Sequence, residues 1–206
     1  QPLIRDFVPL ARLEDLVFGG WDIFPDSVYQ SCMAAGVLEP ALVEGLRPAL
    51  ESIRPMPAVF DNYYVKNLDG PNVKRGANKM ELAEAIAQDM RDFRARTGCD
   101  RLVMVWCGST EIFLARSAVH QSVESFERGL LANDPDIPPS MVYASAAIRE
   151  GIPYANGAPN LSADTPALEA LAKRTGAPTC GKDFKTGQTL MKTILAPGFK
   201  ARQLGL

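Results

Sequence analysis

Helical spacing is clearest over residues 80–97, where Leu82, Ile86, Met90 and Phe93 recur on one face and Glu81, Glu84, Asp89 and Arg91 fall elsewhere. Gly98 supplies a natural stop. The same spacing predicts helices over residues 40–53 through Leu42, Leu46, Leu50 and Ile53, over 117–132, and over 138–151 with Met141, Ala144 and Ile148 inward. Pro25-Asp26-Ser27 opens a further helix running toward Gly36. Asp164 or Thr165 caps another, with Pro166 in its first turn and Gly176 at its end. A last pattern, Leu190, Met191, Ile194 and Leu195, starts near the end of the chain. Short apolar runs lie between these helices: Leu16-Val17-Phe18, Ala58-Val59-Phe60, residues 100–107, Ile152-Pro153-Tyr154-Ala155 and Ala177-Pro178-Thr179-Cys180. Residues 100–107 open with Asp100-Arg101, but their core from Leu102 to Cys107 is continuously apolar, the mark of a strand covered on both faces. Strand and helix alternate throughout, so the expected architecture is α/β with a mainly parallel sheet.

Candidate chemistry sits where the strands end. Polar, Gly-containing turns stand at Gly19, Gly108, Gly157 and Gly181, and parallel strands would set them along one edge facing one shared ligand. The stretch 181–192 packs two glycines, an acid and three lysines between a strand and a helix start, where backbone N–H groups collect anions. Asp22, at a strand end, suits a ribose hydroxyl pair. Each turn has a plainer alternative: a capping Asp at 22, a simple polar turn at 108–111, solvated lysines at 181–192. The segment 61–77 is long for a connection inside a compact domain. Its Lys74 and Arg75, and Lys79 just beyond, read as solvent charges rather than ligands.

Composition narrows the classes. At 206 residues, 47% apolar and 22% charged, the chain is ordinary globular material for one large domain. No apolar run approaches membrane-spanning length, and no basic region followed by an apolar stretch opens the chain. The net charge of −2, with mixed signs and no basic stripe, argues against a nucleic-acid partner. Cys32, Cys99, Cys107 and Cys180 form no CxxC pair and read as reduced, mostly buried thiols in a cytosolic setting. His120 is the single histidine, so no metal site or triad is expected. GxGxxG, Walker-type and Gly-x-Ser-x-Gly motifs are missing. The chain opens at Gln1 without an initiator Met, as a trimmed or processed piece would. The residues alone imply a nucleotide-type ligand on an α/β domain and leave the reaction open.

Four stretches carry a resemblance. Val17-Phe18-Gly19-Gly20-Trp21-Asp22-Ile23, Val105-Trp106-Cys107-Gly108-Ser109-Thr110-Glu111, Asn156-Gly157-Ala158-Pro159-Asn160 and residues 181–189 resemble, in order and spacing, the inositol-3-phosphate synthase (myo-inositol-1-phosphate synthase) family. The resemblance spans nearly the whole chain. It implies a Rossmann-like NAD-binding domain, incomplete at both ends. Residues 1–187 would form that domain and 188–206 the start of the catalytic and tetramerisation domain. The family's Gly-rich loop would lie upstream of Gln1. Its Asn-rich motif and most catalytic lysines would lie downstream of Leu206. The implied activity is conversion of glucose 6-phosphate to inositol phosphate: oxidation by tightly held NAD, enolisation, intramolecular aldol closure, and return of the hydride without net redox. This segment alone would be inactive. The implied setting is a cytoplasmic homotetramer, with no nucleic acid and no membrane.

Position by position, the resemblance implies that Gly20 and Asp22 lie on the adenosine-ribose side of NAD. Cys107, Gly108, Ser109 and Thr110 match the turn along the cofactor, where the family often shows Thr-Ala-Asn-Thr. The Cys, Gly and Ser here keep the turn small but remove an amide. Gly157 and Ala158 match a turn that often reads Gly-Ser. Ala58 and Val59 match a further cofactor-side strand end. Asp183, Phe184 and Thr186 match a segment near the nicotinamide. Asp183, Lys185 and Lys192 are the candidate catalytic residues, and no metal is implied. Two competing readings are a non-catalytic NAD-binding relative and an NAD-dependent dehydrogenase with net redox turnover.

Overall fold

Parallel pairing dominates the computed structural model, which describes residues 3–184 and 191–204. Residues 3–20 carry only two 3₁₀ turns, Ile4–Asp6 and Leu13–Asp15. The predicted buried strand at Leu16-Val17-Phe18 does not form, and Phe18 is 69% exposed. No described element packs over that run, so its apolar character has nothing to bury against. The strand forms later, as β1 (Trp21–Asp22). Gly19 and Gly20 therefore precede a strand instead of following one.

After β1 comes α1 (Val28–Ala35), closed by a reciprocal Ser27–Gln30 capping box and by Gly36 in the left-handed region. The single helix expected over 40–53 is two: α2 (Pro40–Gly45) and α3 (Arg47–Ser52). Pro48, in the first turn of α3, has no N–H to continue α2 through Leu46. Val43 is the buried residue there, whereas Leu42 and Leu46 are exposed. Next is β2 (Met56–Pro57), parallel to β1 with Trp21 beside Met56. The strand expected at 58–60 is reduced to one bridge, Ala58 to Val73, made by the Ala58 N–H donating to the Asn72 carbonyl and the Lys74 N–H to the Ala58 carbonyl.

The second half is more regular. α4 (Lys79–Thr97) starts at Asn78, whose side chain accepts from the Glu81 N–H, and stops at Gly98. β3 (Met104–Trp106) follows, then a 3₁₀ turn Ala118–His120, α5 (Val123–Ala132) and α6 (Pro139–Arg149). The helix expected over 117–132 thus begins with a separate turn, and His120 sits there, fully buried. β4 (Tyr154–Asn156), α7 (Pro166–Thr175) and β5 (Thr179–Gly181) complete the unit. Thr165 caps α7 with Pro166 behind it, as its sequence predicts. A π-helical turn, Met191–Leu195, leads into α8 (Ala196–Ala201). The 187/188 domain boundary falls outside the described residues.

Strands β3, β4 and β5 form a parallel sheet in that order, with Met104 beside Tyr154 and Tyr154 beside Thr179. Helices α4 to α7 pack on one another, and α6 lies against β3 and β4. Their interface is the core, with Ile86, Phe126, Leu130, Met141, Ile148 and Leu168 buried. Every residue of α6 but Arg149 is buried, and its small Ala144, Ser145, Ala146 and Ala147 let neighbours approach closely. The β1–β2 pair stands apart as a second half-sheet. β3 is not covered on both faces as its apolar run predicts: Val103 is 66% exposed and Val105 is 47% exposed.

Candidate functional site

A cavity of about 520 Å³ separates the two half-sheets. One wall is residues 19–24, the other residues 102–108, and Ala58, Val59 and Phe60 close one side. Tyr143 of α6 forms the floor. Its ring meets Trp21 edge-on at 5.2 Å and Trp106 at 5.4 Å, and its hydroxyl accepts from the Val59 N–H at 2.8 Å. One buried phenol thus joins β1, the end of β2 and β3, and burial raises its pKa. The Trp21 indole N–H donates to Asp89 of α4 at 2.6 Å, and Lys74 pairs with the same carboxylate at 2.8 Å. Lys74 and Lys79 are not the solvent charges expected of them. Lys79 Nζ donates to the Tyr64 hydroxyl and to the Asp134 and Ile137 carbonyls, and burial lowers its pKa.

The cavity brings together seven of the residues singled out in the sequence: Gly20, Asp22, Ala58, Val59, Cys107, Gly108 and Ser109. Gly20 lies at the leading end of β1 and Asp22 at its trailing end, so the four glycine turns do not share one strand edge. Asp22 Oδ1 accepts from the Phe24 N–H at 2.9 Å, a turn role, but it caps no helix: Ser27 caps α1. Its second carboxylate oxygen has no protein partner among the described residues. Cys107 and Cys180 are exposed and Cys32 and Cys99 half-buried, so the thiols are less buried than expected.

A second cluster adjoins the first. The Gly157 N–H donates to the Trp106 carbonyl at 2.8 Å, the Asp183 N–H to the Ala158 carbonyl at 3.1 Å, and the Phe184 N–H to the Gly157 carbonyl at 3.2 Å. A Cβ at Gly157 would stand 2.6 Å from the Trp106 carbonyl and strike the Phe184 ring, so packing demands glycine there. Asp183 holds a left-handed backbone (φ 72°), which aspartate tolerates better than most side chains. Thr110 sits between Ser109 and Glu111 at the end of the turn. Lys185 and Thr186 lie outside the described residues, as does the Lys192 side chain.

Residue assignment from sequence missed what holds these turns. Glu111 is buried. Its Oε1 accepts from the Ser140 N–H at 2.8 Å, and its Oε2 from the Ser140 hydroxyl at 2.5 Å and from Asn160 Nδ2 at 2.9 Å. Asn160 in turn accepts at its carbonyl from Asn156 Nδ2. Burial outweighs these donors and lifts the Glu111 carboxyl to about 7. An acid directly after a small-residue turn, and a Ser after Pro-Pro at a helix start, were the available signals.

The arrangement defines an α/β domain of the dinucleotide-binding class: parallel strands, helix-backed, with small turns and an acid at strand ends. The comparisons make the class specific. Residues 1–198 match the family model of myo-inositol-1-phosphate synthase, for its NAD-binding domain. Inositol-3-phosphate synthase 1 of Bacteroides thetaiotaomicron is 49% identical over 207 residues, covering 100% of this chain and 48% of the relative. The inositol-3-phosphate synthase of Citrus paradisi is 34% identical over 195 residues, covering 93% of this chain and 38% of the relative. A crystal structure of inositol-3-phosphate synthase from Caenorhabditis elegans superimposes with a TM-score of 0.89 at 30% identity, over 97% of this chain and 40% of that one. The chain belongs to the myo-inositol-1-phosphate synthase family. It spans about half the length, or less, of these relatives.

NAD is the cofactor of this domain class, and the residues present fit it. The cavity offers apolar walls for a flat ring and a free carboxylate oxygen at Asp22, and Trp106, which lines it, keeps a buried indole N–H without a partner among the described residues. Gly108 and Ser109 add a turn with almost no side chain in the way.

Proposed function

We propose that the full protein is an inositol-3-phosphate synthase that converts glucose 6-phosphate to 1D-myo-inositol 3-phosphate. The observation that carries this reading is the 49% identity across the whole chain to a bacterial enzyme of that name. The bound dinucleotide supplies a reversible hydride acceptor, so oxidation and reduction cancel over the cycle. This chain's own residues then have defined tasks. Asp22 takes the ribose hydroxyls through its free oxygen. Gly20, Ala58, Val59, Cys107, Gly108, Ser109 and Thr110 line the cofactor's path, and the apolar walls keep water from the ring. Gly157, Ala158, Phe184 and Thr186 continue that path. Asp183 stands by the nicotinamide as both a cofactor-side and a catalytic residue, and Lys185 and Lys192 supply the cationic groups that stabilise a developing oxyanion. Residues up to 187 belong to the NAD domain, and those from 188 begin the catalytic one. The assembly is a cytoplasmic homotetramer.

A second reading has specific support. Cys107, Gly108 and Ser109 replace Thr-Ala-Asn, and Ala158 replaces Ser, which suits a non-catalytic NAD-binding relative. A dehydrogenase with net turnover is the third. Incubating the full-length protein with glucose 6-phosphate and catalytic NAD separates them. Inositol phosphate without accumulating NADH supports the synthase. Steady NADH release supports a dehydrogenase, and bound NAD without product supports the relative. Within the synthase, Asp183→Asn keeps the left-handed preference but removes the charge. Turnover is expected to fall at least ~100-fold, on the scale of a lost acid–base or positioning group, with circular dichroism unchanged. Near-normal turnover would remove Asp183 from the site.

A further inference from the structure

We propose that Glu111 is a positioning residue of the cofactor site, whose carboxylate locks the turn after β3 to the turn after β4 and to the head of α6. The proposal rests on reading those turns as the cofactor's path. The turn itself shows why a lock is needed. Residues 107–110 make no hydrogen bond to any described residue. Upstream, the turn is held where the Trp106 carbonyl accepts from Gly157; downstream, the first anchor is Glu111. Through Asn160 that anchor reaches the second turn, because Asn160 accepts from Asn156, and Asn156 Oδ1 accepts from the Ala158 N–H at 3.0 Å. The chain Glu111–Asn160–Asn156–Ala158 therefore ties two turns that are separate in sequence.

A purely structural tie would be cheaper without charge, since neutral or apolar groups fill a buried site at lower desolvation cost. The ionised form accepts all three donors at once; on protonation the Glu111 O–H donates to the Ser140 hydroxyl, which already accepts from Asn160 Nδ2 at 3.0 Å, and Asn160 loses its charged acceptor. The charged and titratable groups around it are Lys79 at the head of α4, which favours ionisation, and the phenols of Tyr64 and Tyr154. Burial outweighs Lys79 and the Ser140 donors, so Glu111 titrates near neutrality, and the tie between the turns is tight at alkaline pH and weakened in acid. A cofactor that needs the locked turns binds the ionised form preferentially and pulls the carboxyl downward.

The test is calorimetric titration of NAD into the full-length protein between pH 5.5 and 8.5. For the wild type, affinity is expected to rise about ten-fold through a single step near pH 7, as a one-unit shift of the carboxyl would give. Glu111→Gln, which keeps the shape, should bind more weakly at pH 8 and show no step, with an unchanged circular dichroism spectrum. Glu111→Asp, charged but shorter, should keep a step with a displaced midpoint. A step of the same size in Glu111→Gln, or a flat wild-type profile, overturns the positioning role while leaving NAD binding standing. Absence of NAD binding by the wild type at every pH instead sinks the cofactor reading, and the proposal with it.

Discussion

Glu111 carries its own stability signature, independent of any ligand. Its carboxyl is raised from 4.5 to about 7, so folding favours the neutral form. A raised carboxyl contributes stability that is full below the unfolded pKa and lost as pH rises through the folded one. The window is therefore about pH 4.5 to above 7, and the loss across it is about 3 kcal/mol at 1.36 kcal/mol per unit. Denaturant titrations of wild type and Glu111→Gln should converge or cross with pH, the wild type losing ground by that order toward pH 8. Parallel profiles would show that burial does not perturb this group. Gly157 offers a steric counterpart. Gly157→Ala should cost about 1–3 kcal/mol in the same assay, because its Cβ would meet the Trp106 carbonyl and the Phe184 ring. The sequence made both turns visible as glycine-bearing strand ends. It did not make Glu111 visible, because its partners Ser140 and Asn160 are 29 and 49 residues away and nothing local reports that distance.

Helices were legible where their ends are chemically marked. Ser27 and Thr165 cap, Gly36, Gly98 and Gly176 terminate, and α1 and α7 begin and end, and α4 ends, close to where those residues predict, while the Asn78 cap of α4 went unread. Strands were less legible, since β1 to β5 are two or three residues each and periodicity needs more length than that. β1 illustrates what pattern cannot carry: it is held by a tie to α4. Asp89 receives both the Trp21 indole N–H and the Lys74 ammonium, on side chains 14% and 19% exposed for the ion pair. Sequence placed Asp89 on the polar face of α4 and Lys74 in solvent, each plausible alone. Asp89→Ala should cost about 2–4 kcal/mol, because it leaves a mostly buried ammonium and an indole donor without their acceptor. Asp89→Asn should recover part of that through the indole bond. Urea unfolding followed by Trp fluorescence measures both, and a loss for Asp89→Ala below about 0.5 kcal/mol, the level of a solvent-exposed pair, would reduce the tie to a surface contact.

At the scale of the molecule, the parallel α/β class was readable from alternation alone, whereas the division of the sheet into two halves was not. The apolar core of residues 100–107 predicts a strand covered on both faces, yet Val103 and Val105 are exposed, and among the described residues β3 pairs on one side only. In a parallel strand, consecutive residues turn their N–H and C=O groups to opposite sides. The Met104 N–H donates to Pro153 and the Trp106 carbonyl accepts from Gly157, so both face β4. Val103 and Val105 consequently turn their backbone groups into the cavity opposite residues 19–24. The amide of Tyr154, by contrast, donates to the Pro178 carbonyl at 3.0 Å inside the three-stranded sheet. Hydrogen exchange on the 206-residue chain should separate these sites. The Val105 amide is expected to exchange at least ~100-fold faster than that of Tyr154, since an unpaired edge opens without unfolding the sheet. The contrast should shrink as protein concentration rises, because an apolar open edge recruits a second chain by strand pairing. Equal protection of the two amides in dilute solution would mean that β3 has a partner on both sides in the isolated chain, against the two-part sheet described above.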